Sequence, residues 1–213
     1  MKERPIIFST KMVRAILDGR KTQTRRVVKF PLKLKSQEVK INTLNYSDAD
    51  HPAILENCPY GQVWDELWVR ETWGVGTRLD PLEGWVDGIE FRADEPYCDD
   101  AGLYPIPNTI DPELVSRNEG RGWRPSIYMP RLVSRITLKI INIRIEKLHD
   151  ITDGDIAKEG VEWASTQIGN KYGSHAKDDF ALLWDSINEK RGYSWESNPW
   201  VWVIEFNKKQ TKE

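Results

Sequence analysis

The chain has 213 residues, a net charge of −2, two cysteines and three histidines. That length can bury one sizeable core, and we read residues 1–213 as a single elaborated domain. Cys58 and Cys98 are far apart and His51, His149 and His175 stand singly, which argues against a zinc site or a disulfide scaffold and predicts a reduced, cytoplasmic protein without metal or cofactor. The Ile-Ile-Phe run after Met1–Pro5 is too brief for a signal peptide, and no apolar run approaches membrane-spanning length, so no membrane partner is expected.

In chain order, Ile6–Phe8 is the first strand candidate. Residues 9–18 read as a helix: Ser9 or Thr10 can cap it, Met12, Val13, Ile16 and Leu17 form one apolar stripe, and Gly19 suits the left-handed position past its end. The run Gly-Arg-Lys-Thr-Gln-Thr-Arg-Arg follows at 19–26, within a stretch from 20 to 35 that carries Arg20, Lys21, Arg25, Arg26, Lys29, Lys33 and Lys35 and no acid. Residues 31–60 are mixed and end in a turn at Cys58-Pro59-Tyr60-Gly61. Leu67–Trp73 alternates like a strand, and if Leu67, Val69 and Trp73 point inward, Glu71 points inward with them.

Residues 76–120 hold Pro81, Pro96, Pro105, Pro107 and Pro112 and no sustained period, with eleven acids against Arg78, Arg92 and Arg117. They read as a long, loop-rich acidic insertion, a surface elaboration or lid. From Ser134 to Leu148, Ile136, Leu138 and Ile140 share one parity and Ile141, Ile143 and Ile145 the other. Such a switch inside one strand marks the bulge by which a small sheet curls toward a barrel. Thr152-Asp153-Gly154-Asp155 fits a helix start with an acid at the capping-box position, Glu159-Gly160 a helix end, and Phe180, Leu183, Trp184 and Ile187 a second amphipathic helix. Trp200–Phe206 is apolar on both faces except at Glu205, as a central strand must be. These elements predict an α+β fold.

Gly19-x-Lys21-x-x-Thr24-x-Arg26 after an amphipathic helix resembles the signature of the ASCH domain, and the closing Val-Trp-Val-Ile-Glu-Phe strand resembles that family's last strand. Arg124–Arg131 with Ser134-Arg135-Ile136 is similar to a subgroup common in bacteriophage and prophage genomes. The resemblance spans most of the chain outside 76–120. It implies a PUA-like small mixed β-barrel with flanking helices, and RNA or a modified nucleoside as partner. One branch of the family consists of amidohydrolases that remove acetyl from the N4 amine of acetylcytidine. There the signature lysine assists a threonine three residues later and a glutamate completes the set, which implies Lys21, Thr24 and Glu159 as catalytic residues. A non-catalytic RNA-binding module and a ribonuclease are the alternative implications.

The residues themselves permit that chemistry. A threonine hydroxyl is a weak nucleophile and needs a base, and a lysine serves once burial or neighbouring cations, here Arg20, Arg25 and Arg26, lower its pKa. Lys21 and Thr24 share a face only if the segment turns between them. Glu159, at a helix C-terminus, sits where the dipole disfavours a carboxylate, which suits proton exchange with a leaving amine. Without the resemblance the same run reads as a solvated basic loop, Glu159 as a surface helix residue and Glu71 as the partner of Arg26 or Arg70. As substrate contacts we single out Arg20, Arg25, Arg26, Glu71, Ser126 and Arg131, and Trp73 as a base-stacking candidate beside its default core role.

Overall fold

A computed structural model describes residues 1–33, 40–45, 47, 51–80, 84–94, 104–106, 110, 112–116, 122–161 and 175–209. Cys98, Lys35 and much of the acidic segment lie outside the described residues.

The chain begins with β1 (Glu3–Ile7), α1 (Thr10–Leu17) and β2 (Gln23–Val27). Two short pieces, β3 (Leu32–Lys33) and β4 (Lys40–Ile41), and a single turn of helix, α2 (Pro52–Leu55), lead to β5 (Glu66–Arg70). There follow β6 (Trp73–Asp80), β7 (Gly84–Phe91), β8 (Tyr104–Pro105) and α3 (Pro112–Ser116). The remainder comprises the long β9 (Thr137–Lys147), α4 (Asp153–Lys158), α5 (His175–Asn188) and β10 (Trp200–Lys208). The mixture of helices with mainly antiparallel sheet makes the fold α+β.

The principal sheet has five strands in the order β1-β5-β9-β10-β2, with β1 parallel to β5 and the other pairs antiparallel. Central β10 is buried on both faces, as its composition demands. Trp202, Ile204 and Phe206 join Val13 and Ile16 of α1 and Leu138, Ile140, Ile143 and Ile145 of β9 on one side. Val201 and Val203 join Ile156 of α4 and Phe180, Ala181 and Trp184 of α5 on the other. The sheet curls through the expected bulge. Opposite β9 the register jumps from Glu205↔Asn142 to Phe206↔Ile140, leaving Ile141 unpaired and 39 % exposed between buried Ile140 and Ile143.

The curl does not become a closed barrel. β1 and β2 are the two edges of the sheet, and no ladder joins them among the described residues. The gap is laced by a side chain instead: Arg26 of β2 donates to the Ile7 carbonyl of β1 at 3.0 Å. Beyond that bond β1 ends at Ile7, where the chain enters α1, and the Phe8 ring lies 5.1 Å from the Arg26 guanidinium.

The stretch read as a loop-rich insertion is partly ordered as sheet. β6 and β7 pair over eight residues each and β8 adds to β7, forming a second sheet whose core is Trp73, Val75, Ile89, Phe91, Ile110, Met129 and Val133. Its core face is carried by Trp73, Val75, Ile89 and Phe91, while Gly74, Gly76 and Gly88 stand at the opposite parity, where polar side chains would have made the alternation legible.

Candidate active site

Two helix ends meet at the centre of the site. Ser9 caps α1, accepting from the Met12 amide, and Gly19, at φ 75°, turns the chain out of it so that the Lys21 amide returns to the Ala15 carbonyl at 2.9 Å. Thr152 and Asp155 form the capping box of α4, and Gly160, at φ 72°, ends it. The Thr22 amide donates to the Lys158 carbonyl at 2.8 Å, which brings Lys21 opposite Glu159 in a single bridge. Glycine is required at 160: a Cβ there would stand 2.8 Å from the Cβ atoms of both Ala15 and Lys21.

In that junction the Lys21 amine, with no exposed side-chain surface, donates to the Glu159 carboxylate at 2.7 Å and to the Glu159 carbonyl at 2.9 Å. It thus serves both the acid and the negative end of α4. Burial pushes the amine below its ordinary value; Glu159 opposes that shift, and Arg26 and Arg25 add to it. Arg25 approaches the other Glu159 oxygen at 3.3 Å, pairs with Glu146 and lies 3.5 Å from Asp155. Arg144 continues the network to Glu146, Asp155 and Glu205 at 3.0, 3.1 and 2.5 Å. Gln23, with its amide oriented by its neighbours, receives Arg25 and donates to Asp155 at 3.1 Å and Glu205 at 3.2 Å. Glu159 is therefore held from two sides by groups that are themselves held.

Thr24 follows a different course. The chain turns at Gly19, before Lys21, and from Gln23 it runs extended in β2, so the turn required between Lys21 and Thr24 is absent. Thr24 is fully buried and its hydroxyl accepts from Arg26 at 2.7 Å. Lys21 and Arg26 meet at Phe8 instead: the Lys21 amine lies 5.7 Å and the Arg26 guanidinium 5.1 Å from the centre of its ring.

Beside this junction, between the unclosed edges β1 and β2 and under α5, lies a cleft of about 860 Å³. Arg25, Arg26, Ser126 and Glu159 reach it, as do Phe8, Tyr60, Trp184 and Tyr193, which supply aromatic walls. Burial pushes the Tyr60 phenol up, keeping it a hydrogen-bond donor beside Arg26.

The other candidates lie elsewhere. Arg20 is exposed and bonds Asp18 at 2.8 Å. Arg131 forms a two-pronged pair with Glu3, both bonds at 3.0 Å. Glu71 does point inward with Leu67, Val69 and Trp73, but its partner is Arg135, at 3.0 and 3.1 Å, rather than Arg26 or Arg70. Arg135 also holds Asp94 through two bonds and lies 4.0 Å from the Phe91 ring centre, so Glu71 ties the second sheet to the first. Trp73 is core, 2 % exposed. Phe8, Tyr60, Arg191 and Tyr193 carry no motif in the sequence that links them to one site. Only the basic run gave a local signal, and Lys29 belongs to it.

The fold and the site together define an α+β protein whose open sheet seam carries a cationic, aromatic cleft over a buried lysine–glutamate pair. Compared with protein-family models, curated proteins and solved structures, the chain matches none. Among the described residues no helix is long and apolar enough to cross a membrane.

Proposed function

We propose that the seam cleft binds a nucleobase, presented by a modified nucleoside or by RNA, and that the chain is a divergent ASCH-type relative of the PUA-like barrels. The observation that carries this reading is the cleft's wall, which half-buried Tyr60 and Tyr193 line together with the buried rings of Phe8 and Trp184. A flat, polar-edged aromatic ligand matches such a surface, and base stacking contributes roughly 1–3 kcal/mol per aromatic face.

Hydrolysis of an N4-acylated cytidine is the second reading, favoured by the buried Lys21–Glu159 pair and by the lowered amine pKa. Neutral Lys21 would take the Thr24 hydroxyl proton as Oγ1 bonds the acyl carbon; the C–N bond then breaks, and the amine leaves with the proton, passed between Lys21 and Glu159. Water cleaves the threonine ester and restores the hydroxyl. This route requires Arg26 to release Thr24, whose hydroxyl it covers, and the start of β2 to turn so that the hydroxyl faces Lys21, since neither Lys21 nor Thr24 lines the cleft in the present geometry.

The test is a titration with cytidine and N4-acetylcytidine followed by tryptophan emission, with product analysis for free cytidine. Binding weakened about tenfold or more by Tyr60→Ala supports the base site. Cytidine release that disappears in Lys21→Ala and Thr24→Ala supports hydrolysis, whereas release that survives both sinks it. Absence of binding by both nucleosides and by a short single-stranded RNA sinks the base site itself.

A further inference from the structure

The charges along the seam are unevenly matched. Cations meet carboxylates beside the cleft, with Lys21 and Arg25 at Glu159, and elsewhere in the protein, with Arg131 at Glu3, Arg135 at Glu71 and Arg144 at Glu205. At the mouth they do not. Arg26 bonds the Thr24 hydroxyl and the carbonyls of Arg25 and Ile7, all neutral acceptors. Lys29, just past β2, and Arg191, just past α5, are exposed, line the same cleft and form no ion pair with any described residue. Arg191 lies near enough to Arg26 and Tyr60 to act on their charges. Among the described residues the one carboxylate lining the cleft, Glu159, is already engaged by Lys21 and Arg25.

Cations left together without counter-charge repel one another and destabilise the free protein slightly, a cost that a bound anion removes. Guanidinium groups suit a tetrahedral oxyanion because their N–H donors match two of its oxygens. We infer that Arg26, Lys29 and Arg191 form a phosphate subsite, so that the ligand of the seam cleft is a nucleotide, with its base against the aromatic wall and its phosphate at the mouth. This rests on the base-binding reading above and extends it. The phosphate belongs either to a free mononucleotide or to an RNA backbone.

Calorimetric titration of the 213-residue chain with cytidine, cytidine 5′-monophosphate, ribose 5-phosphate, inorganic phosphate and a short oligocytidylate tests the inference. The monophosphate is expected to bind at least about tenfold more tightly than cytidine, the scale of one charge-assisted pair. That advantage should shrink as salt is raised. In K29A/R191A, which removes two exposed side chains and should leave the melting temperature unchanged or slightly raised, the ratio of the two affinities should collapse toward one. Equal affinities for cytidine and its monophosphate, or a ratio unchanged in K29A/R191A, overturns the phosphate subsite and leaves the base site standing. Ribose 5-phosphate binding as well as the monophosphate, with loss in K29A/R191A, keeps the subsite and sinks the base site. An oligomer that binds far more tightly than the monophosphate, with a steeper salt dependence, identifies RNA as the source; an oligomer no tighter identifies the free nucleotide. Silence from every ligand overturns both readings.

Discussion

Glu159→Gln and Lys21→Met remove opposite halves of one buried pair, and the geometry dictates unequal costs. Among the described residues Lys21 has one carboxylate, Glu159 at 2.7 Å, and no exposed side-chain surface. Glu159 has two cations, Lys21 and, at 3.3 Å, Arg25. Glu159→Gln strands the amine and should cost roughly 3–5 kcal/mol, the range for a buried charge left without its partner. Lys21→Met leaves the acid with Arg25 and fills nearly the same volume, so about 1–3 kcal/mol is expected, the loss of charge-assisted hydrogen bonds alone. The double variant should cost less than the sum, by roughly 0.5–3 kcal/mol. Urea denaturation reads these differences as shifts of midpoint at constant slope.

pH supplies an independent check on the same pair. Burial holds the Lys21 amine below its ordinary 10.5, so over that interval the native state binds fewer protons than the unfolded chain, and stability rises with pH. Loss of Glu159, which opposes the shift, extends the interval downward. The Glu159→Gln penalty should therefore shrink as pH rises from neutrality toward 10.5. A Lys21→Met cost equal to or above that of Glu159→Gln, additive single costs, or a penalty that grows with pH would refute the reasoning.

Two further outcomes follow from other contacts. Gly160→Ala places a methyl 2.8 Å from two Cβ atoms, whereas Gly192, also left-handed at φ 84°, has nothing within 4 Å. The first should cost roughly 1–3 kcal/mol more than the second, a melting-temperature gap of about 2–4 °C per kcal/mol; equal melting points would show that the junction yields. Arg135→Ala leaves Glu71 buried beside Asp94 and should cost roughly 3–5 kcal/mol at neutral pH. Burial already holds the Glu71 carboxyl above its ordinary 4.5 and Arg135 is the main opposing influence, so in the variant the native state binds more protons than the unfolded chain above 4.5. Its stability deficit relative to wild type should narrow as pH falls toward 4.5, and a deficit constant from neutral to mildly acid conditions counts against that assignment.

Local chemistry was legible before any fold was known. The Ser9 cap, the left-handed Gly19, the Thr152–Asp155 capping box, the doubly buried last strand and the parity switch in β9 all follow from neighbours a few residues apart, because caps, turns and strand faces are determined within one or two turns of chain. The inward orientation of Glu71 came from the same period-two rule. Its partner did not, because Arg135 stands 64 residues away and only the meeting of the two sheets brings it there. The hairpin of β6 and β7 was hidden by glycines that carry no hydropathy signal.

At the site, the resemblance to the ASCH signature implied Lys21, Thr24 and Glu159, while the tertiary structure decided which of them meet. Lys21 reaches Glu159 across 138 residues because two helix ends abut with a glycine between them, whereas Thr24, three residues from Lys21, is carried into an extended strand and covered by Arg26. The cleft itself was invisible in one dimension. It exists because the sheet curls without closing, and the residues along its seam come from both edge strands and a helix that no local pattern connects.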